Sequence, residues 1–173
     1  MRKILKKKFF DRPTLAVAQD LLGKFLVMNR NGRVIAAMIT EVEAYDGPKD
    51  KASHARRGIT PRNKIMFGSP GIWYVYFTYG MHWMVNIITG PKDYPAAVLI
   101  RGVEGIAGPG RVTKYFHIDK KLNGRRAEKA EKLWIEDRGL KIKSSEIKKT
   151  PRIGVAHAGP LWDKKKYRFT ISF

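Results

Sequence analysis

Cysteine is absent from this 173-residue sequence, which excludes disulfides, thiolate nucleophiles and cysteine-based metal sites. Acidic residues are scarce: 15 Asp and Glu stand against 35 Lys and Arg, a formal charge of +20. No apolar run approaches the roughly 20 residues that span a bilayer. The basic opening MRKILKKKFF lacks the apolar stretch and small-residue cleavage site of a secretory signal. Familiar chemical signatures are missing too. There is no Walker phosphate loop, no dinucleotide-binding glycine pattern, no HExxH helix and no H-x-E with paired cysteines. The four histidines are scattered and support no metal site. These absences lead to the expectation of a soluble intracellular protein without metal or membrane partner.

What remains is ordinary for a globular chain, with hydrophobic residues at 43% and aromatics at 11%. The length suits one domain, residues 1–173, with a single substantial core. The positive field attracts phosphate backbones or anionic lipid heads, and by itself does not choose between them.

Along the chain, Lys3 to Lys8 reads as a basic arm. Asp11 and Pro13 open a helix with Leu15, Ala18, Leu21 and Leu22 as its apolar stripe, and Gly23 stops it. Asn31-Gly32 joins KFLVMNR to RVIAAMITEVEAY as a tight hairpin. On the second strand, period-two alternation places Glu41, Glu43 and Tyr45 on one side, continuing the row of Ile35, Ala37 and Ile39. The acids then either line a pocket or leave the core near Thr40 for solvent. A polar loop follows, with His54 and four cations between Arg56 and Lys64; Arg62 and Lys64 beside the Thr60–Asn63 turn suit phosphate contacts.

Trp73 to Phe77 and Trp83 to Thr89 read as strands with Tyr79-Gly80 at the tip between them, and Asn86 is an amide inside an apolar strand. Ala97, Leu99 and Arg101 share a face of the next strand. Gly108-Pro109-Gly110 leads into a helix, Ala127 to Asp137 reads as another, Ile153 to Gly159 as a glycine-punctuated strand and turn, and Tyr167 to Phe173 as a closing core strand.

A carboxylate, an arginine, an asparagine, a histidine and several aromatics suit one kind of reaction. An aromatic ring is held between side chains while water attacks its attachment point. The same residues carry a resemblance. FFDRPTLAVAQDLLGK, ITEVEAYDGP, SHARRG, TPRN, YVYFTYGMHWMVNI, AAVLIRGVE, GPG, LWIEDRG and RIGVAHAG, in this order across almost the whole chain, resemble the alkyladenine (3-methyladenine) DNA glycosylase family of the vertebrate type. The resemblance implies a single compact α+β domain with a curved, mostly antiparallel sheet flanked by helices, and a cofactor-free, monofunctional and monomeric glycosylase of base excision repair. Its partner would be double-stranded DNA carrying alkylated or deaminated purines, which places it in the cytoplasm with the nucleoid in a prokaryote and in the nucleus in a eukaryote.

Position by position, the resemblance implies Glu43 as the water-activating base and Arg101 as its helper. Tyr45 would stack on one face of the flipped base, with Tyr76 and His54 on the other. Leu99 and Asn86 would stand in the pocket wall, the amide disfavouring purines with an extra amino group. Tyr79 would fill the gap in the duplex, and Met81, Val155, Arg62 and Lys64 would contact the groove. The Glu104–Gly108 loop is shorter than in that family. A non-enzymatic basic nucleic-acid-binding module on the same fold is the rival expectation.

Overall fold

In the computed structural model, which describes residues 2–172, the basic opening is docked rather than free. It forms a short strand, β1 (Lys3–Ile4), and one helical turn, α1 (Lys7–Phe10), with Leu5 and Phe10 buried and the lysines exposed. Helix α2 (Thr14–Leu21) follows Pro13, whose fixed φ suits a helix start. Asp11 closes α1 and does not cap α2, so the expected side-chain cap is not made. Val17, Ala18 and Leu21 are its buried stripe.

Strands β2 (Phe25–Arg30) and β3 (Arg33–Asp46) form the expected hairpin, and Asn31 and Gly32 both take the positive φ that such a turn requires. Strands β4 (Trp73–Thr78) and β5 (His82–Ile88) make a second hairpin, and β6 (Ala96–Val103) returns beside β3. The short 104–108 segment closes as a two-residue turn, Glu104-Gly105, into β7 (Ile106–Ala107). Helix α3 (Pro109–Phe116) and strands β8 (Leu133–Asp137), β9 (Lys148–Thr150) and β10 (Arg168–Thr170) complete the described elements. All pairings are antiparallel; the main order is β1-β8-β2-β3-β6-β5-β4, with β10 joining β3 to β9 and β7 joining β6. This is a sheet-dominated α+β fold.

A register shift in the middle of β3 corrects the face read from alternation. Ile39 pairs with Val103 and Val42 with Ile100, but Glu41 pairs with Gly102, leaving Thr40 and Arg101 as extra residues on the two strands. A one-residue slip reverses which side a strand presents. Ala37 and Ile39 therefore share the main core with Val42 and Ala44, not with Glu41 and Glu43. On β6 the core residues likewise change from Val98 and Ile100 to Val103. Gly102 lets the bulged strands close up, since a Cβ there would stand 3.0 Å from that of Glu41. The two acids, Tyr45 and Arg101 thus lie on the face turned away from α2 and the core.

Two other expectations change. Residues 127–137 are not a helix: only the turn Lys129–Glu131 is helical, and LWIED is β8, hydrogen-bonded between β1 and β2. Residues 133–136 are all buried, and a strand covered on both faces shows no alternation to distinguish it from a buried helix. Residues 153–159 form no strand; they make a loop with a helical turn at Ala156–Ala158. Their buried members, Val155 and Ala158, are three apart, the period of a turn. In the closing segment Phe169 and Ile171 enter the core as expected, although β10 is short and Phe173 lies outside the described residues.

The loop after β3 is clamped from below. Asp50 is fully buried with Arg152: Arg152 Nη2 donates to Asp50 Oδ1 at 2.9 Å and Nη1 to the Ala44 carbonyl at 2.8 Å. The guanidinium also lies against the Tyr45 and Tyr167 rings, 4.8 and 5.2 Å from their centroids. Removing one partner strands a buried charge. Asp50→Ala should therefore lose about 3–5 kcal/mol of stability in urea denaturation. Removing the more exposed partner of Lys24 with Asp137→Ala should lose no more than about 1 kcal/mol; similar losses for the two would show that the buried pair is no clamp.

Candidate active site

Four adjacent strands present their outer faces to one cavity of about 320 Å³. Tyr45 comes from β3, Tyr74 and Tyr76 from β4, Asn86 from β5, and Leu99 and Arg101 from β6; His54 and residues 153–157 close it from the loops. Its size is at the low end of small-ligand sites, ample for one flat ring.

Glu43 does not itself line this cavity. It is 0% exposed, and the three groups that touch its carboxylate form the wall in front of it. The Tyr45 hydroxyl donates to Oε2 at 2.9 Å, the Ile153 N–H to Oε1 at 2.7 Å, and Arg101 Nε stands 3.5 Å from Oε1. Arg101 is bonded more closely to Glu41, at 2.9 Å, and Arg168 reaches the same Glu41 oxygen at 2.7 Å. The two acids that alternation could not separate are thus distinct. Glu41 is neutralised by two guanidiniums, whereas Glu43 is enclosed just behind the pocket.

Burial dominates the ionisation of Glu43 and pushes it above the ordinary carboxylate value, against the opposing pull of Arg101, the Ile153 N–H, the Tyr45 hydroxyl and Arg152. Arg101 limits this rise but does not cancel it. A carboxylate lifted toward neutrality is a better proton acceptor than an exposed one.

The aromatic side of the cavity is packed edge to face. The His54 and Tyr76 rings are 4.6 Å apart at 67°, Tyr74 and Tyr76 are 5.1 Å apart, and His54 Nδ1 is 3.1 Å from the Tyr74 hydroxyl. His54 is exposed overall, but its ring packs against these tyrosines. Desolvation, then the charges of Arg62, His157 and Arg56, pull it down to about 4, so it is neutral at neutral pH. Burial raises the phenols of Tyr45 and Tyr76, and that of Tyr74 to about 12. Asn86 is buried and donates to the Tyr74 carbonyl at 3.1 Å.

Tyr79 lines the mouth of the cavity at the β4–β5 tip. It is 78% exposed, beside exposed Phe77 and Met81, and its φ of 53° is left-handed. Lys64 is exposed as expected. Arg62 is exposed too, but it braces the rim, donating to the Phe77 carbonyl at 3.1 Å and lying 5.2 Å over the Tyr76 ring. Val155, expected near the groove, lines the cavity and is itself buried against Ala52 and Ala158.

Some of the site escaped sequence reasoning. Asn63 is buried and holds the 54–63 loop, donating to the carbonyls of His54 and Gly58 at 2.9 Å each. The Ile153 amide and the Asp50–Arg152 pair are long-range pairings with no local signal. His157 was hidden by reading its segment as a strand. Among the described residues no three His, Asp or Glu side chains converge to hold a metal ion, and no helix is long and apolar enough to cross a membrane.

Comparison with known proteins adds independent observations. The family model described as methylpurine-DNA glycosylase (MPG) matches residues 8–108 and 105–172. A protein of Methanocella arvoryzae is 43% identical, covering 90% of this chain and 86% of its own. One of Anaeromyxobacter dehalogenans is 42% identical over 96% and 83%, and one of Wolbachia pipientis 39% identical over 98% and 95%. All three carry the name "Putative 3-methyladenine DNA glycosylase". These relatives are archaeal and bacterial, so they do not support the vertebrate type expected from the sequence.

The cavity electrostatics give a direct test. An imidazole in the unfolded chain protonates near 6.5, whereas the folded His54 resists until about 4. The stability it contributes is thus full above 6.5 and is lost as pH falls from 6.5 to 4. An NMR titration should find the His54 ring changing near pH 4, and the stability advantage of wild type over His54→Gln should shrink over that interval. A midpoint near 6.5 would show an ordinary surface histidine.

Proposed function

The chain belongs to the methylpurine-DNA glycosylase family, and on that premise we propose that it is a monofunctional, monomeric DNA glycosylase of base excision repair. Its substrates are alkylated and deaminated purines (3-methyladenine, 7-methylguanine, hypoxanthine, ethenoadenine and their kind) in double-stranded DNA. With microbial relatives, its place is the cytoplasm, on the nucleoid. The observation that carries this reading is the enclosed Glu43 behind a ring-sized aromatic cavity, one hairpin away from an exposed tyrosine.

The net charge of +20 draws the protein to duplex DNA. Rotating a base out of the stack costs a few kcal/mol, and a Tyr79 ring filling the vacated space offsets part of it. In the cavity the base lies between Tyr45 and the His54–Tyr76 pair, with Asn86 disfavouring an extra exocyclic amino group. Water attacks the sugar carbon as the bond to the base breaks. The bonding pair leaves with the base while the negative charge of Glu43 stabilises the developing sugar cation, and the water proton then passes to Glu43 as the oxygen bonds to the sugar carbon. Tyr45 and the Ile153 amide occupy the carboxylate at rest, so admitting water means displacing one of them. No lysine lines the cavity, which agrees with hydrolysis to an abasic site without a Schiff-base step.

Incubation with a duplex carrying hypoxanthine or 7-methylguanine, followed by hot alkali, tests the activity; an intact strand would favour the non-enzymatic binder. Glu43→Gln should bind the duplex like wild type and lose about 10²–10⁴-fold in single-turnover excision. Because Glu43 is raised, wild-type excision should fall on acidification at a pH above the ordinary carboxylate value, as the base takes up its proton. Full activity in Glu43→Gln would remove the mechanism. Separately, Tyr79→Ser should weaken lesion binding by roughly 1–3 kcal/mol, the worth of one stacked base. Unchanged affinity would leave the tip with no part in flipping.

A further inference from the structure

Neutral lesions pose a problem that the base at Glu43 does not solve. As the glycosidic bond breaks, the leaving purine takes both electrons, and without a proton it departs as an anion. The cavity offers few groups with a proton to give. The Tyr45 hydroxyl is bonded to Glu43, Tyr74 lies against His54, and burial makes these phenols and that of Tyr76 hold their protons more tightly. Arg101 stays a cation bonded to Glu41. Tyr79 lines only the mouth, most of its ring in solvent at the tip, and His54 is held neutral. His157 remains.

Its position is fixed by a well-anchored segment. Arg152 is pinned by Asp50, the Ile153 amide is bonded to Glu43, and Val155 is buried beside Tyr45, Ala52 and Ala158. The next turn carries His157, solvent-accessible and lining the cavity, near enough to His54 for its charge to be felt there. Facing it around the cavity are His54, Tyr45 with Glu43 behind it, Tyr74, Tyr76 and Arg101, with Arg56 and Arg62 on the neighbouring loop. An imidazole is the side chain whose proton is available near neutrality.

We propose that His157 is the general acid that protonates the departing base when the lesion is neutral, and that it is dispensable when the lesion is cationic. The inference rests on the glycosylase reading above. The imidazolium proton goes to a ring nitrogen not joined to the sugar, and the electrons of the broken bond are absorbed by the now neutral base. The water oxygen bonds to the sugar carbon, its proton goes to Glu43, and solvent returns both groups to their starting states. A base that already carries positive charge leaves neutral without this help.

The test compares hypoxanthine with 7-methylguanine in the same duplex, by single-turnover excision across pH, for wild type, His157→Gln and His157→Asn. Expected are a loss of about 100-fold or more on hypoxanthine and near wild-type rates on 7-methylguanine. The alkaline fall of the hypoxanthine profile should vanish in both variants, with duplex affinity unchanged. Equal losses on both lesions would mark a structural role, and an unchanged hypoxanthine rate would show that the proton comes from elsewhere; either overturns the proposal. Wild type excising neither lesion would overturn the functional reading itself, whereas excision of both by wild type and variants alike would sink only the role of His157.

Discussion

Where β3 meets β6, each strand carries one extra residue, Thr40 on one and Arg101 on the other, and the side on which every later residue falls follows from that. Continued alternation from Ala37 and Ile39 would carry Glu41 and Glu43 into an apolar core with Val17, Leu21 and Phe116. Burying two carboxylates there would cost several kcal/mol each, comparable with the 5–15 kcal/mol by which a whole domain is stable. The double slip delivers Val42 and Ala44 to the core instead and turns the acids, Tyr45 and Arg101 toward the loops. The cavity exists because the strand reverses its sides at that point.

That reversal also explains how much of the molecule was legible beforehand. Hairpins announced by local chemistry, Asn31-Gly32 and Tyr79-Gly80, are where the residues placed them, since turn geometry depends only on neighbours. The shared side of Glu41, Glu43 and Tyr45 was legible too, because all three follow the slip. Their relation to Ile35 and Ala37 was not, because a bulge is set by pairing with a strand some sixty residues away, Glu41 with Gly102. Strand β8 was misread for a similar reason: residues 133–136 are buried on both faces, which erases the period. The Asp50–Arg152 pair joins residues |i−j| = 102 apart and leaves no mark in either local stretch.

The enclosed carboxylate carries a cost that its surroundings offset only in part. Desolvation raises Glu43, while Arg101, the Ile153 amide and the Tyr45 hydroxyl pull it back, and desolvation prevails. More cations in contact would lower it and weaken it as a proton acceptor; fewer would let burial raise it further. Arg101 stands 3.5 Å away and gives its closer bond to Glu41, an intermediate pull. Glu41 is thus more than a bystander, since it and Arg168 determine how much of the guanidinium's field reaches Glu43.

The tip and the carboxylate also share one rigid frame. Tyr79 sits between Thr78 and His82, the last pair of a hairpin whose other strand carries Asn86 opposite Leu99, which in turn lies opposite Glu43. An unbroken ladder of backbone hydrogen bonds therefore fixes the position of the tip relative to Glu43. A tyrosine with left-handed φ is strained by about 1–3 kcal/mol, and on a free loop it would relax. Here the paired strands on either side hold it. In the proposed reading, a ring inserted into a duplex at Tyr79 would thereby be set at one spacing from Glu43 by the sheet.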